Sequence, residues 1–98
     1  MAILEAFEAA ALALPDVTCG QRKSFTAFSR KVQMAAIRPV RGGHAMAGFA
    51  VDPDADPRLA PRGAESWGDR LKGQLQLTSP AQVDASIATL LRQAWERS

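Results

Sequence analysis

The sequence predicts an α+β fold: a single antiparallel sheet of four to five strands with an N-terminal and a C-terminal helix packed on one face. Three observations predict it. Apolar residues recur at helical spacing at both ends of the chain. Between Val17 and Val51 the pattern turns to short segments of β-branched, aromatic and small residues, punctuated by Gly20 and Gly42-Gly43. Late in the chain Leu71, Leu75 and Leu77 alternate with Lys72, Gln74, Gln76 and Thr78. Periods near 3.6 belong to one face of a helix, and a period of two belongs to a half-buried strand. Strands joined by hairpins are antiparallel, so two terminal helices cover one face and leave the other to solvent or a partner.

The first helix rests on Ile3, Phe7, Ala10 and Leu14, with Leu4 and Ala11 widening the same stripe. Alanine supports it and Pro15 stops it, so it is expected to run to about Leu14. Three strands follow, at roughly Ser24 to Ser29, Val32 to Val40 and His44 to Val51, with Val17 to Gly20 as a short edge. Gly42-Gly43 suits a two-residue hairpin turn, whose central positions both need positive φ. The run "DPDADPRLAPRG" from Asp52 to Gly63 has no periodicity and reads as a solvated loop. In the last segment Ser79 stands at an N-cap, Pro80 at the first helical position, and Gln82 closes a capping box. Val83, Ile87, Leu90 and Leu91 then form an apolar stripe that Ala94 and Trp95 extend.

Length and composition bound the rest. A chain of 98 residues hides about 60 to 65% of its extended surface, which supports one core, so residues 1–98 are expected to form a single domain. With 47% apolar and 22% charged residues, the composition excludes disorder. One cysteine, Cys19, allows no internal disulfide, and Glu5 and Glu8 interrupt what would be the apolar part of a signal peptide. No apolar run is long enough to cross a bilayer, so a cytoplasmic protein with no membrane partner is expected.

The net charge of +2 is unevenly spread. Residues 17–51 carry Arg22, Lys23, Arg30, Lys31, Arg38 and Arg41 and no acid, whereas Glu5, Glu8 and Asp16 precede them and Asp52, Asp54 and Asp56 follow. Cations on adjacent strands supply phosphate contacts in non-specific nucleic-acid binders, and Phe25 and Phe28 are candidate stacking platforms for unpaired bases. The other reading is that strand-end Arg and Lys are solvated charges that discourage edge pairing. Strand parity favours that one, since Arg22 and Arg30 share one parity and Lys23 and Lys31 the other unless a turn or bulge intervenes. Trp67, followed by Gly68, is a candidate pocket wall near Arg38 or Arg41, or else a lid on the core.

Catalytic and metal-binding readings are weaker. Cys19 and His44 are the only thiol and imidazole, thinkable as a nucleophile pair but more simply a small hydrophobe and a strand-end residue. One Cys and one His do not make a zinc shell. Asp52, Asp54 and Asp56 alternate as in a calcium loop but lack its glycine and terminal glutamate. Neither Gly42-Gly43 nor Gly48 precedes a helix N-terminus, so no phosphate-binding glycine loop is present. No metal, cofactor or catalytic residue is expected.

The stretch "KSFTAFSRKVQMAAIRP" followed by a short hairpin, and then "SWGDRLKGQLQLTSPAQVDASIATLLRQAWE", resembles a bacterial family, domain of unknown function 5655. The resemblance lies in the aromatic between small residues after Lys23-Ser24, the Trp67-Gly68 step, and the Ser79-Pro80 helix start with Val83-Asp84. It spans about Pro15 to Arg97. It implies an α+β domain that occurs alone or appended to larger proteins, and it carries over no activity.

Two function classes remain. One is a non-catalytic binding or accessory module whose basic sheet face, with Arg22, Lys23, Arg38, Arg41 and Trp67, meets an anionic partner such as nucleic acid or a phosphorylated ligand. The alternative is a protein interaction or homodimerisation domain that uses the open sheet face or an edge strand, motivated by Met34, Ile37, Met46 and Phe49.

Overall fold

The computed structural model describes residues 2–61 and 70–98. Helix α1 spans Ala2–Leu12 and buries Ile3, Phe7 and Ala11, the i, i+4, i+8 stripe. It ends two residues short of the expected Leu14. There the Leu14 N–H turns to the Ala11 carbonyl at 3.2 Å, a tighter i→i−3 closure, ahead of Pro15. Asp16 then reverses the chain in the left-handed region at φ 62°, where Asp is tolerated better than most residues.

Strands β1 (Thr18–Gln21), β2 (Thr26–Ser29), β3 (Gln33–Val40), β4 (His44–Phe49), β5 (Ala60–Pro61) and β6 (Gly73–Leu77) form one sheet in the order β1-β2-β3-β4-β6-β5. Every pairing is antiparallel. The expectation of four to five strands falls short by the two-residue β5, which the proline-rich loop contributes to the outer edge of β6. A proline there gives up an N–H that faces no partner strand. Pro39 is tolerated inside β3 for a similar reason, since β2 stops pairing at Ile37.

The β3–β4 connection differs from the expected two-residue turn. Val40 pairs with His44, so Arg41, Gly42 and Gly43 together make a three-residue loop. Both glycines take positive φ, 82° and 75°, so the conformational demand is as expected while its register is shifted. At Gly73 the constraint is contact instead. A β-carbon would lie 2.8 Å from the Val51 carbonyl oxygen, so this strand entry admits no side chain.

A β-bulge between Phe28 and Ser29 inserts Met34 as an extra residue on β3, and Met34, Ala35, Ala36 and Ile37 are all buried in succession. Cross-strand register aligns Phe28, Ala35, Phe49 and Gly73 in one row. Phe7 of α1 sits on that row, its ring centroid 5.7 Å from Phe28 and 5.8 Å from Phe49. Leu71, Leu75 and Leu77 are buried as their alternation predicts.

The C-terminal segment splits where one helix is expected. Ser79 and Gln82 form their capping box around a 3-10 turn, Pro80–Gln82, and Val83 leaves helical geometry. Helix α2 starts afresh at Ala85 and runs to Glu96, capped by Asp84, whose Oδ1 accepts from Ser86 and Ile87 N–H. It buries Ile87, Leu90, Leu91 and Ala94. The two helices touch each other and both touch β3 and β4, so they share one face of the sheet. Trp95 Nε1 donates to the Pro15 carbonyl at 2.8 Å, joining the end of α2 to the turn after α1. Among the described residues no helix is long and apolar enough to cross a membrane.

Candidate anion-binding surface

Strand direction sorts the six central cations into two groups. The β1–β2 turn holds Arg22 and Lys23, and the far end of β3 with its turn holds Arg38 and Arg41, so these four gather at one end of the sheet. Arg30 and Lys31 lie at the other end, about 26 Å away along the eight residues of β3. Arg22, Lys23 and Arg41 are exposed, and Arg38 is half-buried.

Register sets which way two of the four point. The Arg22 N–H donates to the Phe25 carbonyl at 2.7 Å, extending the β1–β2 ladder past its last pair. The Arg22 guanidinium lies over Gly20, 3.7 Å from the place of a β-carbon there. Gly20 pairs with Ala27, and Ala27 with Ala36, in the row that alternates with the helix-covered one. Arg38 follows Ala36 by two residues on the same side and pairs with Met46, which pairs with Gln76. Arg22 and Arg38 therefore belong to the face turned away from the helices. The centre of that face is not accessible, because Ala27, Ala36 and Gly48 are all buried. Accessible charge is confined to its rim.

Arg30 has a structural role instead. Its guanidinium stacks 4.0 Å over the Trp95 ring, and its Nη1 donates to the Trp95 carbonyl at 3.3 Å. A cation at the carbonyl end of α2 complements the helix dipole. Trp67 and Gly68 lie outside the described residues.

Residues behind the other sequence-based candidates end up apart or buried. Cys19 on β1 and His44 on β4 are three strands apart, about 14 Å across the sheet, and near opposite ends of it. Partial burial, and then the nearby Glu8 carboxylate, push the Cys19 thiol above its ordinary pKa, the reverse of an activated nucleophile. His44 Nδ1 lies 3.1 Å from Gln76 Nε2. Met34, Ile37 and Phe49 are buried, and Met46 is half-buried against the same core. Asp56 accepts from Arg58 N–H at 2.8 Å and from its Nε at 3.2 Å. Those bonds hold the Asp56 carboxyl below its ordinary pKa and commit it to a local turn. Among the described residues no group of acids, thiols and imidazoles has the arrangement of a metal site.

Sequence reasoning missed a second cationic cluster. Arg70, Lys72 and Arg97 meet in a cleft with Ala50, Val51 and Asp52. Three distant segments supply these residues, and no local pattern in the chain links them.

A family model described as a domain of unknown function, DUF5655, matches residues 1–98. No curated protein and no solved structure matches the chain.

Proposed function

The chain belongs to the DUF5655 family, and from that premise we propose that this domain is a non-catalytic binding module for an anionic partner, single-stranded nucleic acid being the class its chemistry suits best. The observation that carries the reading is the gathering of Arg22, Lys23, Arg38 and Arg41 at one end of the sheet, in a segment from Val17 to Val51 that contains no carboxylate. Phosphate contacts from such residues supply most of the affinity of sequence-independent binders. Phe25 lies beside the charge, half-buried opposite Arg22 and packed against the core. The single exposed thiol, Cys19, suits a reducing cytoplasmic setting.

The test is fluorescence anisotropy with a labelled single-stranded oligonucleotide across a salt series. Four phosphate contacts predict an affinity loss of about fifty-fold for a four-fold rise in salt. Arg22→Ala and Arg41→Ala should each reduce the log–log salt slope by about 0.7. No retention at low ionic strength, or unchanged binding when all four cations are replaced, would overturn the reading.

A further inference from the structure

We propose that the cleft at the opposite end of the sheet, formed by Ala50–Asp52, Arg70, Lys72 and Arg97, is a site for a phosphoryl group, free or as a small monoester. This is separate from the surface at Arg22 to Arg41 and does not depend on it.

Sheet pairing builds the site. Phe49 pairs with Gly73, so the residues leaving β4 are brought to those entering β6, and Ala50, Val51 and Asp52 line one cleft with Arg70 and Lys72. The Ala50 N–H is anchored to the Met34 carbonyl at 2.9 Å. Just before β6, fully buried Leu71 fixes the backbone between exposed Arg70 and Lys72. Arg97 closes the third side as the C-cap of α2, its N–H held by the Ala94 and Trp95 carbonyls.

The electrostatics favour an anion. Three cations line the cleft against one carboxylate, Asp52, among the described residues. Arg70 Nη2 donates to the Arg97 carbonyl at 3.2 Å, which orients the guanidinium while using one of its five N–H groups. Arg30 at the Trp95 carbonyl and Arg70 at the Arg97 carbonyl already answer the helix carbonyl end, so the side chains of Lys72 and Arg97 are surplus to dipole neutralisation. Guanidinium forks and an ammonium suit phosphate oxygens. The cleft volume, about 280 Å³, accommodates a phosphoryl group or a small monoester.

The experiment is a titration of the full chain with inorganic phosphate at constant ionic strength, followed by ¹⁵N–¹H NMR, with phenyl phosphate in a parallel arm. Saturable shifts are expected at the amides of 50–52, 70–72 and 97. Lys72→Ala and Arg97→Ala should each weaken binding about ten-fold, the loss of one charge-assisted hydrogen bond. Asp52→Asn should tighten it, since that side chain caps nothing and only repels the ligand. Tighter binding of phenyl phosphate identifies a monoester as the ligand, and equal or weaker binding identifies free phosphate. The proposal is overturned if shifts stay linear to about 10 mM phosphate, if they map to the Arg22–Arg41 end, or if Asp52→Asn binds no better. Arg22→Ala should leave phosphate binding intact and weaken only the oligonucleotide, so the two sites fail separately.

Discussion

Cys19 shows how a residue's chemistry follows from its neighbours. It lies in register with Phe28, on the side of the sheet that the helices cover, with Glu8 of α1 close enough to act on it. Both partial burial and the carboxylate disfavour the thiolate, burial more strongly. Alkylation by iodoacetamide as a function of pH should therefore show a midpoint above that of a free thiol. Glu8→Gln should lower the midpoint only part of the way, because burial remains. A midpoint below the ordinary cysteine range would contradict the geometry. Val17 to Gly20 is legible as an edge from its neighbours, but the approach of Glu8 is not, because the turn at Pro15 and Asp16 decides it.

At the scale of an element, the last helix shows two start signals in competition. Ser79, Pro80 and Gln82 form a complete capping box, with Gln82 Oε1 accepting from the N–H of both Thr78 and Ser79. Yet they nucleate a single 3-10 turn, and Asp84 restarts the chain as α2. Ile87, Leu90, Leu91 and Ala94 settle the outcome, since the helix must present all four to the core. Asp84→Ala should cost about 1 kcal/mol in urea unfolding, as for a helix N-cap. Ser79→Ala should cost less, because its Oγ caps only the three-residue 3-10 turn and not the helix that packs on the sheet. Equal or reversed losses would place the true start at Ser79. The capping chemistry was legible in the chain, and the choice between caps was not, because it depends on which register meets the sheet.

For the whole molecule, the decisive contact is Phe7 against Phe28 and Phe49, which joins α1 to β2 and β4. Phe7 is fully buried, and no other aromatic on α1 can take its place. Phe7→Ala should cost about 3 to 5 kcal/mol, a large share of the roughly 5 to 15 kcal/mol that holds a domain folded. Denaturant unfolding would check it. A loss under about 1 kcal/mol would mean that α1 is dispensable to the core. The same topology distributes charge. Reversing strands carry Arg22, Lys23, Arg38 and Arg41 to one end and Arg30 and Lys31 to the other, dividing a run of cations that looks continuous in the sequence.

Periodicity determined which segments are helices and strands, and the glycines and prolines determined where they turn, because steric and hydrogen-bonding limits on the backbone act within a few residues. Local chemistry therefore sufficed for an α+β fold with both helices on one face. The bulge at Phe28, the edge strand β5, the division of the cations and the cleft of Arg70, Lys72 and Arg97 depend on which strand lies beside which. Only the packed sheet decided those, since they arise from contacts between segments that share no local pattern.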